Sequence, residues 1–208
     1  MRNVFLASFV SLALLVAPAL AQQQGAPAPG APAANPTPRP PAMELTSSAF
    51  PDGQDIPIRF TQAAPGAAPG EGTSPELSWI NVPAGTQSFL LHFRDLDVAR
   101  NRGTEDQVHW LVWNIPGTAT GLPEGVARGS QLPDGSYQSS ATGPVYRGPG
   151  AGARGPRHHY MFELYALDTM LDVEPVEDAF ENRRNVMEAV QGHVLGKAVY
   201  GGLFRRPQ

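Results

Sequence analysis

Apolar residues alternate with a period of two through the middle of the chain. In residues 88–94, Phe89, Leu91 and Phe93 fall on one side of an extended backbone and Leu90, His92 and Arg94 on the other, which predicts a half-buried strand. Residues 108–115 are apolar on both sides and rich in Trp and Val, the pattern of a strand inside a sheet, closed by Asn114-Ile115-Pro116-Gly117. In residues 160–167, Tyr160, Phe162, Leu164 and Ala166 again share one face. Shorter runs at 43–45, 56–60 and 76–80, set between turn residues, add further strands. Residues 121–155 have little periodicity and many Gly, Pro and Ser; so long a stretch in a compact domain is functional or holds irregular structure. Near the end the period changes. Asn185 and Glu188 have capping-box spacing, and Val186, Val190 and Val194 recur at helical intervals, as do Met187, Leu195 and Ala198. One helix is therefore expected over 186–196, with a shorter helical turn at 176–182 and Gly201-Gly202 ending the helical part. The pattern describes a mostly β domain with one helix packed on late.

The two ends of the chain read differently. Arg2, an almost wholly apolar run over 4–16 and the small-x-small triplet Ala19-Leu20-Ala21 predict a secretory signal peptide over residues 1–21. Pro18 cuts the run short of the roughly 20 apolar residues a membrane span needs, so no stable membrane insertion is expected after cleavage. Residues 22–42 are mostly Gln, Ala, Pro and Gly, too poor in apolar bulk to offset the entropy of ordering, and predict a disordered spacer. Residues 43–208 suffice for one domain. With no cysteine in the chain, disulfides, thiolate metal sites and a cysteine nucleophile are excluded. The net charge of −4 and the absence of a Lys/Arg run disfavour nucleic acid as a partner. An exported, periplasmic or secreted protein is the expectation.

Acid, histidine and tyrosine groups concentrate in three short segments: Asp95-Leu96-Asp97, His109-Trp110, and Gly155-Pro156-Arg157-His158-His159-Tyr160. In extended backbone both carboxylates of the first point to one side; the segment reads either as a solvated turn or as Asp95 or Asp97 fixing a histidine tautomer. His109 lies in an apolar strand, where a lone histidine is more often a core residue than a ligand. His158 and Tyr160 share a side by the i, i+2 rule, which leaves His159 facing elsewhere; His92 and His193 are assigned to structure or surface. Asp95, His109 and His158 could supply three ligands to zinc, but no H-x-H or H-E-x-x-H spacing supports a metal, and no cofactor is implied. There is no G-x-S-x-G and no serine placed by spacing beside a histidine, so no nucleophile is nominated. Two imidazole N–H groups and a phenol O–H that converge without a nucleophile would bind an oxyanion.

Taken in order, these segments resemble the phosphatidylethanolamine-binding protein family, nearest its bacterial Raf-kinase-inhibitor-like branch. The family has Asp-Pro-Asp-Ala-Pro after a strand, a His-Trp or His-His strand ending in Asn-Ile-Pro, a Tyr-x-Gly-Pro loop, and Gly-x-x-His-x-Tyr opening a later strand. Here these stand as Asp95-Leu96-Asp97-Val98-Ala99, His109-Trp110 with Asn114-Ile115-Pro116, Tyr146-Arg147-Gly148-Pro149, and Gly155 to Tyr160. Ser74-Pro75-Glu76-Leu77-Ser78-Trp79 and Gly192-His193-Val194-Leu195 match two more of its motifs. The resemblance implies a β-sandwich-like fold with a peripheral C-terminal helix and a small anion pocket at one end. Carried across, that pocket is Asp95, His109, His158 and Tyr160, with Gly148 and Pro149 in the rim. The sequence departs from the family at the prolines of the first motif and at the rim, where Gly150-Ala151-Gly152-Ala153 replaces paired prolines and suggests a looser mouth.

The function expected is therefore non-enzymatic: an exported protein binding a small anionic ligand such as a phosphate-bearing head group, with His109, His158 and Tyr160 donating and Asp95 orienting. Two alternatives stand beside it. One is an inhibitor or modulator of a protease or envelope protein, since the resembled family includes kinase and protease inhibitors. The other is a cryptic phosphoester hydrolase using Asp95 and His109 as acid and base.

Overall fold

A computed structural model describes residues 41–208. The expected signal peptide and nearly all of the spacer lie outside the described residues.

Among the described residues the strands are β1 (Glu44–Thr46), β2 (Leu77–Ile80), β3 (Ser88–Asp95), β4 (Gln107–Pro116), β5 (Gly121–Leu122), β6 (Tyr137–Ser139), β7 (His158–Leu167) and β8 (Val194–Phe204), with one α-helix, α1 (Ala179–Ala189). They form two antiparallel sheets, a small one in the order β1-β2-β5 and a large one in the order β6-β4-β3-β7-β8. The main core lies between the sheets. Phe89, Leu91 and Phe93 of β3, Trp110 and Val112 of β4, and Phe162 and Leu164 of β7 meet Leu45, Leu77, Trp79 and Leu122 of the small sheet there. On the other face of the large sheet, Leu90, Val108, Leu111 and Trp113 pack against Ala179, Val186 and Val190 of the helix segment. Three layers result, with β3 at the centre of the middle one.

That position explains the first departure from the sequence pattern. β3 was expected to be half-buried, yet Leu90 is as fully buried as Phe89, and His92 is only 3% exposed. The helix layer covers the face that the alternation alone assigned to solvent. A second departure concerns residues 56–60, which form no strand: Ile58–Phe60 is a short 3₁₀ turn. Pro57 has no N–H to give to a ladder, and its fixed φ suits the start of such a turn.

The helix is the third. It runs over Ala179–Ala189, not 186–196, and Asp178 caps it by accepting from the backbone N–H groups of Phe180 and Glu181. Asp178 and Glu181 have the same spacing as the Asn185 and Glu188 pair read as a cap, and the true start lies one box earlier. Gly192, at φ +86°, then turns the chain into β8, which continues through Gly201-Gly202 to Phe204. These glycines do not stop an element. A Cβ on Gly202 would stand 2.6 Å from Ile56 and 2.8 Å from Phe50, so the strand is bare where residues 50–56 cross it. The stretch 121–155 holds the short strands β5 and β6 within otherwise irregular backbone, as its composition suggested.

On the helix-side face of β3, His92 lies beneath a chain of ion pairs. Arg94 bridges Asp106 (2.5 Å) and Glu163 (3.1 Å), Arg183 also holds Asp106 (2.6 Å), and Lys197 holds Glu163 (2.7 Å). Neither ring nitrogen of His92 has a hydrogen-bond partner. Burial, reinforced by the Arg94 charge, pushes its pKa down to about 3. Below the ordinary histidine value of about 6.5 the unfolded chain takes up a proton that the folded chain refuses. The stabilisation is thus complete above that value and is lost as pH falls toward 3. Urea denaturation should show the midpoint dropping as pH is lowered from 7 to 4, and His92→Leu should make that drop smaller without lowering the midpoint at pH 7.

Candidate functional site

One end of the large sheet carries the site. Asp95 is the last residue of β3 and pairs with Tyr160 of β7, so His158, two residues earlier on β7, comes to the same face. His109 arrives by another device. Arg94 pairs with Val108 but Phe93 pairs with Trp110, so His109 is an extra residue in β4 and forms a β-bulge. Val108 therefore packs in the helix-side core while Trp110 packs in the main core, and His109, edge-on to Phe93 and Tyr160, joins the main-core side. Asp95, His109, His158 and Tyr160 together line one cavity of about 300 Å³.

Within it, each sequence-predicted residue makes defined contacts. His158 Nδ1 donates to the Asp95 carboxylate, 2.9 and 3.1 Å from its two oxygens. Asp97 does not share this ring. The strand ends at Asp95, the chain turns, and Asp97 instead accepts from the N–H (2.6 Å) and Nδ1 (3.0 Å) of exposed His159. The two carboxylates thus orient two different imidazoles, and His159 faces away from the cavity lining.

His109 is locked at two points: its carbonyl accepts from Arg147 N–H (2.9 Å), and its Nδ1 donates to the Arg147 carbonyl (3.0 Å). Burial lowers its pKa to about 4, against the opposing pull of the Arg147 and Gly148 carbonyls and of Asp95. At neutral pH the ring is uncharged, Nδ1 carries the proton, and the nitrogen left for the cavity, Nε2, presents a lone pair. The sequence reading takes His109 as a donor to a ligand; here its Nδ1–H is given to the Arg147 carbonyl.

Tyr160 is also committed. Its hydroxyl accepts from the N–H groups of Gly150 and Ala151, both at 3.1 Å. Burial, with Asp95 beside it, raises its pKa far above the ordinary phenol value. The hydroxyl oxygen holds the rim, and its own proton remains to donate. Gly148 and Pro149 stand behind the cavity. Their carbonyls accept from the side chain (2.7 Å) and backbone N–H (2.9 Å) of Gln62, and a Cβ on Gly148 would lie 2.9 Å from the Phe60 carbonyl oxygen. The lining is made instead by Gly150, Ala151 and Gly152. Composition reads this rim as loose, but it is tied by Tyr160, by Gln62, and by Arg206 N–H donating to the Ala151 carbonyl (3.0 Å).

Sequence reasoning missed Arg147, Gln62 and Gln107, which also line the cavity. Arg147 is half-buried; Nη1 donates to Thr142 Oγ1 (2.6 Å), while Nε is sealed from solvent without a partner. Burial lowers its pKa. It occupies the variable position of the Tyr-x-Gly-Pro motif, where a charged residue in a Gly/Pro loop is the one available signal. Gln62 carries no signal at all.

The family model for phosphatidylethanolamine-binding proteins matches residues 46–205, which takes in both sheets, the helix and the cavity. The chain belongs to the phosphatidylethanolamine-binding protein family. A UPF0098 protein of Methanothermobacter thermautotrophicus is 42% identical over 168 residues, covering 79% of this chain and 99% of that one. Escherichia coli YbcL is 35% identical over 132 residues, 62% of this chain and 70% of its own. The crystal structure of YbcL, described as a new member of the mammalian family, superposes with a TM-score of 0.63 at 27% identity over 80% of this chain and 99% of that one. A putative family homologue from Chlamydia trachomatis gives the same TM-score at 29% identity over 79% of this chain and 98% of its own. These relatives place the chain in the YbhB/YbcL-type branch and bear out the β-rich fold.

Replacing Tyr160 by Phe removes the acceptor shared by two rim amides. It should cost about 1–2 kcal/mol of stability, as a lost buried hydrogen bond does. Amide hydrogen exchange should speed up at Gly150 and Ala151 more than at Phe162 in the same strand.

Proposed function

We propose that this is an exported binding protein whose cavity holds the anionic, phosphate-like end of a small ligand. The observation that carries this reading is Arg147: a half-buried guanidinium that lines the cavity with no carboxylate partner, beside two imidazoles whose Nδ1 atoms are already fixed by the protein. A buried cation without a counter-charge is costly, and an anion in the cavity would relieve the cost. His158, its Nδ1–H held by Asp95, lines the same cavity as Arg147. The names of the family and of its solved members, which speak of phosphatidylethanolamine binding, agree with a phosphate-bearing ligand.

Binding is favoured over turnover by the occupation of Asp95. A hydrolytic base needs a free carboxylate, and this one already accepts from His158 and from the Asp97 N–H (3.1 Å). None of the residues lining the cavity is Ser, Thr or Cys. Export rests on the amino-terminal pattern, and a fusion of residues 1–42 to a periplasmic reporter tests it directly.

Isothermal titration calorimetry with inorganic phosphate should detect binding to the wild-type protein. Arg147→Ala and His158→Ala should each weaken it about tenfold or more, the scale of a lost charged hydrogen bond, with circular dichroism unchanged. Equal affinity in all three proteins, or no binding to any, would remove the assignment.

A further inference from the structure

Charge is segregated along the strands of the large sheet. At the cavity end, β7 begins at His158 opposite Phe204, the last residue of β8, and two segments leave the sheet there: the rim loop over 147–157 and the tail over 205–208. Arg206 N–H, donating to the Ala151 carbonyl, and Arg205 Nη1, donating to that of Gly155, join the two segments, both at 3.0 Å. From Gly135 to Phe162 and from Ala189 to Gln208 the chain has no Asp or Glu, yet the two segments carry Arg147, Arg154, Arg157, Arg205 and Arg206. Among the described residues only Arg157 of these meets a carboxylate, that of Asp55 at 2.5 Å. The acids that β3 brings to this end, Asp95 and Asp97, are held by His158 and His159. Beyond the other end of β7, ten residues and about 30 Å away, the segment 168–178 carries Asp168, Asp172, Glu174, Glu177 and Asp178 and no Lys or Arg. The net charge of −4 thus conceals a cationic mouth and an anionic far end.

Two apolar side chains stand exposed at the same end. Ile58, 43% exposed, lines a cleft of about 450 Å³ together with Pro57, Arg157, Arg205 and Arg206. Leu96, 47% exposed, directly follows the cavity carboxylate Asp95, and its N–H donates to the His159 carbonyl (2.9 Å). We infer that this end of the domain docks mouth first on an anionic lipid surface, with Arg154, Arg157, Arg205 and Arg206 against head-group phosphates and Ile58 and Leu96 at the acyl boundary. The docking goes beyond the cavity reading above and does not depend on it. A guanidinium gives paired donors to phosphate oxygens, and each cation near an anionic surface adds to the attraction. A nucleic acid or an acidic polypeptide would use the arginines but gain nothing from the apolar tips, whereas a bilayer surface uses both. Its plane also leaves the acids of 168–178 a strand's length away, well beyond a Debye length of about 8 Å. In this pose the cavity, whose rim carries the arginines, is presented to the head-group layer.

Co-sedimentation with vesicles tests this, using the chain from residue 22 onward, which keeps all eight strands and the helix and lacks the apolar run over 4–16 that would enter a bilayer by itself. In about 0.1 M salt, vesicles of phosphatidylcholine with about a quarter phosphatidylglycerol should bind it at least about tenfold more tightly than phosphatidylcholine alone, and about 0.5 M salt should release it. Neutralising the arginines together, as Arg154→Gln, Arg157→Gln, Arg205→Gln and Arg206→Gln, should weaken vesicle binding at least about thirtyfold, since each such cation contributes roughly fivefold. Affinity for inorganic phosphate should stay within about threefold, because none of the four lines the cavity. A second variant keeps every charge: Ile58→Ser with Leu96→Ser should weaken vesicle binding about fivefold or more. Asp172→Asn with Glu177→Gln changes charge only at the far end and should alter it less than about twofold. No binding to either vesicle, equal binding to both, or full binding by the arginine-neutralised protein would overturn the docking. So would a tenfold gain from the far-end pair, which would put net charge in place of the mouth. Capture by polyglutamate with vesicles ignored would assign the arginines to an acidic protein and overturn the lipid reading. The vesicle results stand whether or not phosphate binds in calorimetry, so failure of the anion reading is seen separately.

Discussion

The extra residue in β4 opposite Phe93 and Arg94 is the constraint on which both layers and the site depend. Side chains of a strand alternate faces, so a shift of one position reverses everything beyond it. Before the bulge, Val108 faces the helix; after it, Leu111 and Trp113 do, while Trp110 and Val112 fill the space between the sheets. Strict alternation could not place Val108, Leu111 and Trp113 on one side. Inserting one residue resolves the conflict, and the residue inserted is His109. Its two-point lock to Arg147 then fixes the loop that follows β6, and with it the guanidinium. The same irregularity therefore makes the core consistent and puts a histidine into the cavity.

This bulge also shows where sequence reading stops. The apolar strand around His109 was legible, and so was the sharing of a face by His158 and Tyr160, because β7 alternates without interruption through its first residues. That His109 leaves the alternation was not legible, since a bulge depends on the register of β3 against β4 and neither strand announces it alone. The helix was misplaced for a related reason. Asp178 and Asn185 both begin acceptable capping boxes, and only the packing of Val186 and Val190 onto Leu90 and Trp113 selects the first. Residues of β8 then follow a helical spacing by coincidence, Val194 and Leu195 being exposed on a strand.

The candidate site was legible to the extent that its residues sit in motifs, and illegible where they work through the backbone. Asp95, His109, His158 and Tyr160 were named before the fold was known. Their roles were not, because a role depends on which hydrogen bonds a group has already made. Tyr160 reads as a donor, and its oxygen in addition accepts from two rim amides. Gly148 reads as rim and proves to be a point of close approach between two loops. Arg147 supplies the cation from a position that no spacing rule marks.

A comparison within the molecule separates a histidine sealed in the core from one that lines a cavity. His92 and His109 are both 3% exposed and both held uncharged by burial. His92 has neither nitrogen paired and neither open; it is enclosed between apolar packing and a network of ion pairs, where protonation would only destabilise the fold. His109 has one nitrogen committed to the protein and the other open to a cavity. Half-commitment of this kind orients a group without exhausting it, which lets a buried side chain recognise a guest at little cost in reorganisation when the guest arrives. His158 repeats the arrangement with Asp95 in place of the carbonyl. The carboxylate fixes the His158 ring through Nδ1 as the Arg147 carbonyl fixes that of His109. The two imidazoles line the same space, one almost fully buried against a carbonyl and the other more open against a carboxylate.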